Sequence, residues 1–139
     1  MSANVTMNQG ALGGSFEFTF KAPASFTASD VGKAVELDAT AANTVKLATD
    51  GAPILGILTQ VSDLSSQGLG VLATVSLHHG LKYTVAANTS VEVGALLVGA
   101  GDGKAKATDS APAGYALPRV MEVLTAPTAD ADGEVVAYL

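Results

Sequence analysis

The chain has 139 residues, enough for one domain with a substantial core. Its formal net charge is -6, and only 14% of its residues are charged, against about 25% in an average soluble domain. The seven basic residues are scattered, so we expect neither a nucleic acid nor an anionic membrane surface as a partner.

Cysteine is absent, which excludes disulfides and thiolate metal sites. The N-terminus lacks a basic stretch followed by an apolar one, so we expect no secretory signal and synthesis in a cytoplasm. The longest apolar runs are far shorter than the roughly 20 residues of a membrane-spanning helix.

Residues 1–14 predict a flexible N-terminal arm, because the segment is uncharged, contains Gly10, Gly13 and Gly14, and shows no sustained period. Its apolar side chains Val5, Met7 and Leu12 are the candidate binding residues of the chain. Residues 15–139 are predicted to form a single β-domain.

The first strand is predicted at 15–21, where Phe16, Phe18 and Phe20 alternate with polar residues. This alternation favours a strand whose phenylalanines face the core. The alternative is that the three rings form an exposed platform for a carbohydrate or a protein partner.

One helical turn is predicted next, since Thr27-Ala28-Ser29-Asp30 fits a capping box. Nine further short strands follow, separated by glycine-rich turns and without a helical apolar stripe. They are predicted near Lys33–Leu37, Thr44–Ala48, Ile54–Val61, Leu69–His79, Leu81–Ala86, Ala95–Val98, Lys104–Thr108, Leu117–Leu124 and Glu134–Leu139. The fold class is therefore predicted as all-β, a small β-sandwich or β-barrel with at most one short helix.

Residues suited to catalysis or metal binding are scarce. His78 and His79 are the only histidines, and neighbouring strand residues point to opposite faces, so the two cannot share one metal ion without a bulge. No nucleophile elbow is present. We expect no catalytic residue, no metal and no cofactor, and hence no enzyme.

Two loops resemble ligand-binding motifs only superficially. Residues 99–104 (GAGDGK) lack the spacing of a phosphate-binding loop and are interpreted as a hairpin turn. Asp130 and Asp132 lack the later glutamate of a calcium loop and are interpreted as part of a solvated turn.

The central part of the chain resembles the head decoration, or cement, proteins of tailed bacteriophages. The segments that carry the resemblance are strand-and-turn patterns between Asp30 and Ala107, namely residues 30–37 (DVGKAVEL), 45–48 (VKLA), 53–58 (PILGIL), 93–97 (VGALL) and 101–105 (GDGKA). The resemblance implies a small β-domain that forms homotrimers on the capsid exterior and binds the major capsid protein. It carries over no catalytic residue.

The predicted function is therefore that of a structural virion protein made in the host cytoplasm, which stabilises a capsid from outside. Low charge and an uncharged arm favour such a non-covalent assembly role. Two alternatives stay open. One is another phage structural part, such as a head fibre base or a tail-tube-like protein, and the other is a carbohydrate-binding β-sandwich.

Overall fold

The structure is a computed structural model that describes residues 16–77, 80–112 and 114–138. Ten β-strands and two single 3-10 turns account for its regular secondary structure. In chain order the strands are β1 (Phe16–Ala22), β2 (Ala34–Leu37), β3 (Val45–Leu47), β4 (Gly56–Leu64), β5 (Gly70–Leu77), β6 (Leu81–Val85), β7 (Leu96–Gly101), β8 (Lys104–Thr108), β9 (Arg119–Thr125) and β10 (Gly133–Tyr138).

The all-β prediction is confirmed, and each predicted strand has an observed counterpart. The predicted helical turn is a 3-10 turn at Ala28–Asp30, and the Asp30 carboxylate accepts a hydrogen bond from the Thr27 N–H at 3.0 Å, as in a capping box. A second 3-10 turn, Ser65–Gln67, was not predicted. It follows Asp63, whose carboxylate accepts hydrogen bonds from the Ser65 N–H and hydroxyl.

The strands form two five-stranded sheets that divide the chain in the middle. The first half, β1 to β5, has the strand order β1-β5-β4-β2-β3, and a parallel bridge between Lys21 and Thr44 brings its two edges together. The second half, β6 to β10, is a closed barrel in the order β10-β6-β8-β7-β9, which closes through a parallel pair between β6 and β8.

The two halves are structural repeats of each other. If β1 to β5 are matched in order with β6 to β10, the neighbours of every strand are the same in both halves, including the parallel contact that joins first and third strands. A bulge also recurs at the same place, because the pairing skips Thr59 after Leu58 in the first half and Met121 after Val120 in the second.

The loop before the second strand of each half repeats individual hydrogen bonds. The Gly32 N–H donates to the Leu58 carbonyl at 2.8 Å, and the Gly94 N–H donates to the Val120 carbonyl at 2.7 Å. Both glycines have positive φ, near +95° and +91°, where a side chain would be strained. Glycine is therefore required at this turn in both repeats.

The apolar core has two parts. The first lies inside the first half and includes Val35, Val45, Leu58 and Val75, all fully buried. The second fills the barrel and extends across the junction to the outward face of the first half. Its members are Tyr83, Val85, Leu97, Ala105, Val120, Val135 and Ala137 from the barrel, with Ala34, Ala48, Ile54 and Ile57 from the first half. The junction between the halves is thus part of the core.

Candidate docking surfaces

The candidate binding residues Val5, Met7 and Leu12, with the whole predicted arm 1–14, lie outside the described residues. The same holds for His78 and His79. The binding role of the arm therefore stays a prediction.

The phenylalanines of β1 form an exposed apolar face. Phe16 pairs with Leu77 and Phe18 with Val75, and such partners project from the same face of a sheet. Val75 is fully buried, yet Phe16 and Phe18 are 59% and 54% exposed. The core-facing interpretation is therefore wrong for these two rings. The reason is their position: β1 meets the opposite edge of the sheet only at Lys21, and the start of the strand extends beyond that point.

Phe20 lies nearer to that closure and packs against the core of the first half. The exposure of the three rings thus depends on their distance from Lys21: Phe16 and Phe18 are exposed, and Phe20 packs against the core. The part of β1 before the closure presents aromatic surface on one face. Between Glu17 and Phe20 its backbone pairs with β5 along one edge, and among the described residues no strand pairs with the other edge.

Most basic side chains are held in ion pairs within the chain, and two of these pairs connect the two halves. The Lys33 ammonium lies 3.1 Å from Asp30 and 3.4 Å from Asp102, and the Lys106 ammonium lies 2.6 Å from Asp50. The remaining ion pairs of the described residues are Lys46–Glu36, Lys82–Glu134 and Lys104–Asp132. Few cations are therefore left to attract a polyanion.

Six ionisable groups of the described residues have shifted pKa values, and three of them illustrate the structural causes. The hydrogen bond from the Thr27 N–H, with support from Lys33, lowers the pKa of Asp30. Lys104 and the Ala87 N–H lower the pKa of Asp132, which ties the turn before β10 to β8. Burial raises the pKa of Tyr83, so its hydroxyl stays protonated. At neutral pH these shifts keep the three groups in their ordinary charge states.

The predicted turn at residues 99–104 is confirmed as the β7–β8 hairpin, and it carries the junction between the halves. The Gly99 N–H donates to the Ala52 carbonyl and the Gly51 N–H donates to the Gly99 carbonyl, both at 2.8 Å. A Cβ atom at Gly99 would lie 2.1 Å from the Thr49 carbonyl oxygen. We call the site beside Gly99, which residues 49–52 occupy, the closed groove.

The repeat-related position in the first half is open. Matching the strand pairs Val35–Leu47 and Leu97–Ala107 places Leu37 where the second half has Gly99. Leu37 is 53% exposed and borders a cavity of about 410 Å³. The cavity is lined by Glu36, Leu37, Ala39, Pro53, Ile54, Leu55, Gly114, Tyr115 and Ala116. We call the space beside Leu37 the open groove.

The backbone of Leu37 faces the open groove. The Ala34 carbonyl accepts a hydrogen bond from Ala48 and the Asp38 N–H donates to Thr44, on either side of β3. The Val35 carbonyl accepts from Leu55 on the opposite edge. Since backbone groups alternate along a strand, the N–H and C=O of Leu37 point to the same edge as those of Val35. No partner for them is found among the described residues.

Two substitutions between the repeats coincide with the difference between the closed and the open groove. Leucine replaces glycine on the strand, so the chain cannot approach Leu37 as Thr49 approaches Gly99. In the facing segment the sequence ATDGAP of residues 48–53 recurs as ATDSAP at 107–112, which puts Ser110 in place of Gly51. This match is one residue out of step with the strand register, which matches Leu47 with Ala107, so the second repeat is one residue shorter at this point. Gly51 has a φ of +78°, a conformation that serine disfavours.

The carboxylate in the lining of the open groove already has hydrogen-bond and ion-pair partners. The Glu36 carboxylate accepts hydrogen bonds from the Thr49 N–H at 2.7 Å and hydroxyl at 2.8 Å, and it lies 3.5 Å from the Lys46 ammonium. Apolar and small side chains form the rest of the lining, and Tyr115 stands exposed at the rim. Such a groove suits an uncharged apolar segment rather than a charged ligand.

Within residues 16–77, 80–112 and 114–138, no cluster of three or more acidic or histidine side chains could hold a metal ion. No helix in this part of the chain is long and apolar enough to cross a membrane. Comparison of the chain with protein-family models, curated proteins and solved structures finds no match.

The sequence analysis missed the repeat, although the recurrence of ATDGAP as ATDSAP was a visible signal. If the repeat is not recognised, Leu37 looks like any other apolar strand residue. Its equivalence to Gly99 emerges only from the register of both strand pairs.

Proposed function

We propose that the protein is a structural virion component that decorates and stabilises a phage capsid, binding the outer surface of the major capsid protein lattice as a homotrimer on the capsid exterior. The resemblance between Asp30 and Ala107 to phage decoration proteins suggests this class. The exposed start of β1 is the observation that carries it.

The start of β1 combines three properties of an assembly surface. Phe16 and Phe18 expose aromatic area, one backbone edge between Glu17 and Phe20 has no partner strand in the described part of the chain, and the predicted arm directly precedes the strand. An exposed edge with apolar neighbours accepts an added strand, and the arm adds contact area next to it. Val5, Met7 and Leu12 are the proposed capsid contacts within the arm.

The charge distribution supports a protein partner over a nucleic acid. Five lysines are compensated by ion pairs within the chain, and the chain as a whole carries a net charge of -6. Phosphate binding requires several uncompensated cations on one face. A neutral, apolar contact with capsid protein fits the surface better.

The proposal is tested by binding the purified protein to expanded, undecorated heads. We expect a trimer in light scattering, saturable decoration of the heads, and loss of DNA at lower temperature from heads without the protein. Phe18→Ser should weaken decoration, whereas Leu69→Ser, at an equally exposed position, should not.

Deletion of residues 2–14 separates the arm from the β1 face. If the truncated protein still forms trimers but no longer decorates heads, the arm is the anchor. If its affinity is unchanged, the β1 face alone binds. A monomer at micromolar concentration, or heads that survive equally well without the protein, would contradict the proposal, and ring or fibre assembly would favour the other phage structural parts.

A further inference from the structure

We propose that the unpaired edge of β1 binds β1 of a second copy of this chain, antiparallel and with Phe18 opposite Phe18 of that copy. The inference rests on the proposed function, in which the start of β1 is an assembly surface, and it names the strand that this surface adds. A two-fold contact cannot itself build a trimer, so it joins copies that belong to neighbouring trimers.

The backbone groups available on this edge belong to Glu17 and Thr19. The Lys21 N–H donates to the Asn43 carbonyl at 2.8 Å, on the edge that faces β3 rather than β5. Because backbone groups alternate along a strand, the N–H and C=O of Glu17 and Thr19 point to that same edge. In the described part of the chain no strand pairs with them there. An unpaired run of this kind is a template for another strand.

Of the antiparallel registers centred on this edge, only one uses both residues fully. With the two-fold axis at Phe18, Glu17 of each copy lies opposite Thr19 of the other, and each such pair exchanges both of its N–H···O bonds. An axis at Thr19 would place Lys21 opposite Glu17, but the Lys21 N–H already donates to Asn43. An axis at Glu17 would place two carboxylates directly opposite each other, which is unfavourable. The edge therefore selects the register centred on Phe18.

The side chains agree with this register on both faces of the sheet. On one face Phe18, 54% exposed, meets Phe18 of the second copy in a non-hydrogen-bonded pair, where side chains approach closely and aromatic pairs stabilise a sheet. On the other face each Glu17 carboxylate lies diagonally between Lys21 and Glu17 of the second copy, so the two lysines offset the repulsion of the two carboxylates. Neither Glu17 nor Lys21 has an ion pair in the described part of the chain. The edge thus complements a copy of itself in hydrogen bonding and in charge.

The size of the contact determines when it forms. A contact confined to residues 16–20 of each copy is far smaller than the roughly 20 residues a side of a stable specific interface, so free trimers should pair only weakly. Trimers held side by side on a capsid have a high effective concentration, which favours the same contact. Pairing of β1 would then link neighbouring trimers into a continuous coat.

Disulfide trapping tests the proposal in the full chain, which contains no native cysteine. Phe18→Cys places the two thiols directly opposite each other, in a pair whose Cα separation of about 4.5 Å suits a disulfide. Phe16→Cys is the matched control, because this similarly exposed ring on the same face would lie opposite Phe20 and about 13 Å from its own counterpart. We expect Phe18→Cys to form linked dimers on a non-reducing gel at least about tenfold faster than Phe16→Cys, since pairing raises the local thiol concentration.

Thr19→Pro, added to Phe18→Cys, removes the N–H that faces the second copy and leaves the pairing with β5 intact. It should reduce the linkage rate to that of the control, and circular dichroism checks that the variant folds. An unchanged rate in the folded variant would overturn the proposal, and so would equal rates for the two cysteine variants, which decide the matter alone if Thr19→Pro does not fold. Equal rates together with normal decoration of heads would overturn the pairing and leave the proposed function standing. Linkage at Phe18 without decoration would do the reverse.

Discussion

The two halves of the chain share one topology but differ where they meet. Residues 49–52 of the first half pack against Gly99 of the second, whereas the corresponding segment of the second half stands away from Leu37. A single strand position, glycine in one repeat and leucine in the other, coincides with this difference. Repeats can thus keep their strand order and bulge while a small sequence change makes one contact internal and leaves the other available.

The halves also differ in which aromatic residues they contain. All four phenylalanines lie in the first half, and Tyr83 of the barrel belongs to the core that crosses the junction. All three tyrosines, Tyr83, Tyr115 and Tyr138, lie in the second half. Tyrosine fluorescence therefore reports on the barrel alone, and circular dichroism reports on both halves.

The largest expected effect comes from Leu58→Ala, which removes a fully buried side chain from the core of the first half. The free energy of unfolding should fall by about 3 kcal/mol, because the substitution loses burial and leaves a cavity. We expect the fluorescence and circular dichroism transitions in urea to shift together, since the halves share buried residues at the junction. Leu69→Ala, at an exposed position, is the control and should change little. A fluorescence transition that does not move would show that the halves unfold independently.

Gly99→Ala should have the next largest effect, because its Cβ would lie 2.1 Å from the Thr49 carbonyl oxygen and would force the closed groove apart. We expect a loss of about 2 kcal/mol in thermal unfolding. Gly80→Ala is the matched control, since its Cβ would meet Val136 at an ordinary 3.5 Å. If both substitutions were equally tolerated, close approach at Gly99 would not explain the closed groove.

The smallest effect concerns the turn before β2. Asp30 has a lowered pKa in the folded state, so its contribution to stability is present above its unfolded value near 3.8 and is lost as the pH falls through the folded value. Asp30→Asn should reduce the free energy of unfolding at pH 6 by less than about 1 kcal/mol and bring no loss at pH 2. Glu92→Gln changes the repeat-related residue, which lacks the capping contact in the described structure. It should leave the free energy of unfolding unchanged at both pH values. Equal effects of both substitutions at pH 6 would contradict a role of the cap.

Much of the fold could be predicted from the sequence. Alternation and glycine-rich turns located all ten strands, and the capping pattern at Thr27–Asp30 located the first turn, because these signals are local. The exposure of Phe16 and Phe18 could not be predicted in this way. Alternation shows which face a residue shares with its neighbours, but whether that face is covered depends on where the sheet closes, here at Lys21.

The candidate groove was beyond sequence reasoning for a similar reason. Leu37 and Gly99 become comparable only through the pairing of β2 with β3 and of β7 with β8, and the cavity needs a third segment, around Tyr115, at its rim. The capsid contacts predicted at Val5, Met7 and Leu12 stay a prediction, as they fall outside the described residues.

The most direct test of the central claim, that one groove is closed internally and the other is open, is amide hydrogen exchange at Gly99 and Leu37 in the full chain. The Gly99 amide, which donates to Ala52 at 2.8 Å, should be protected. The Leu37 amide, for which the described part of the chain supplies no partner, should exchange at least about tenfold faster. Equal protection of the two amides would contradict the claim.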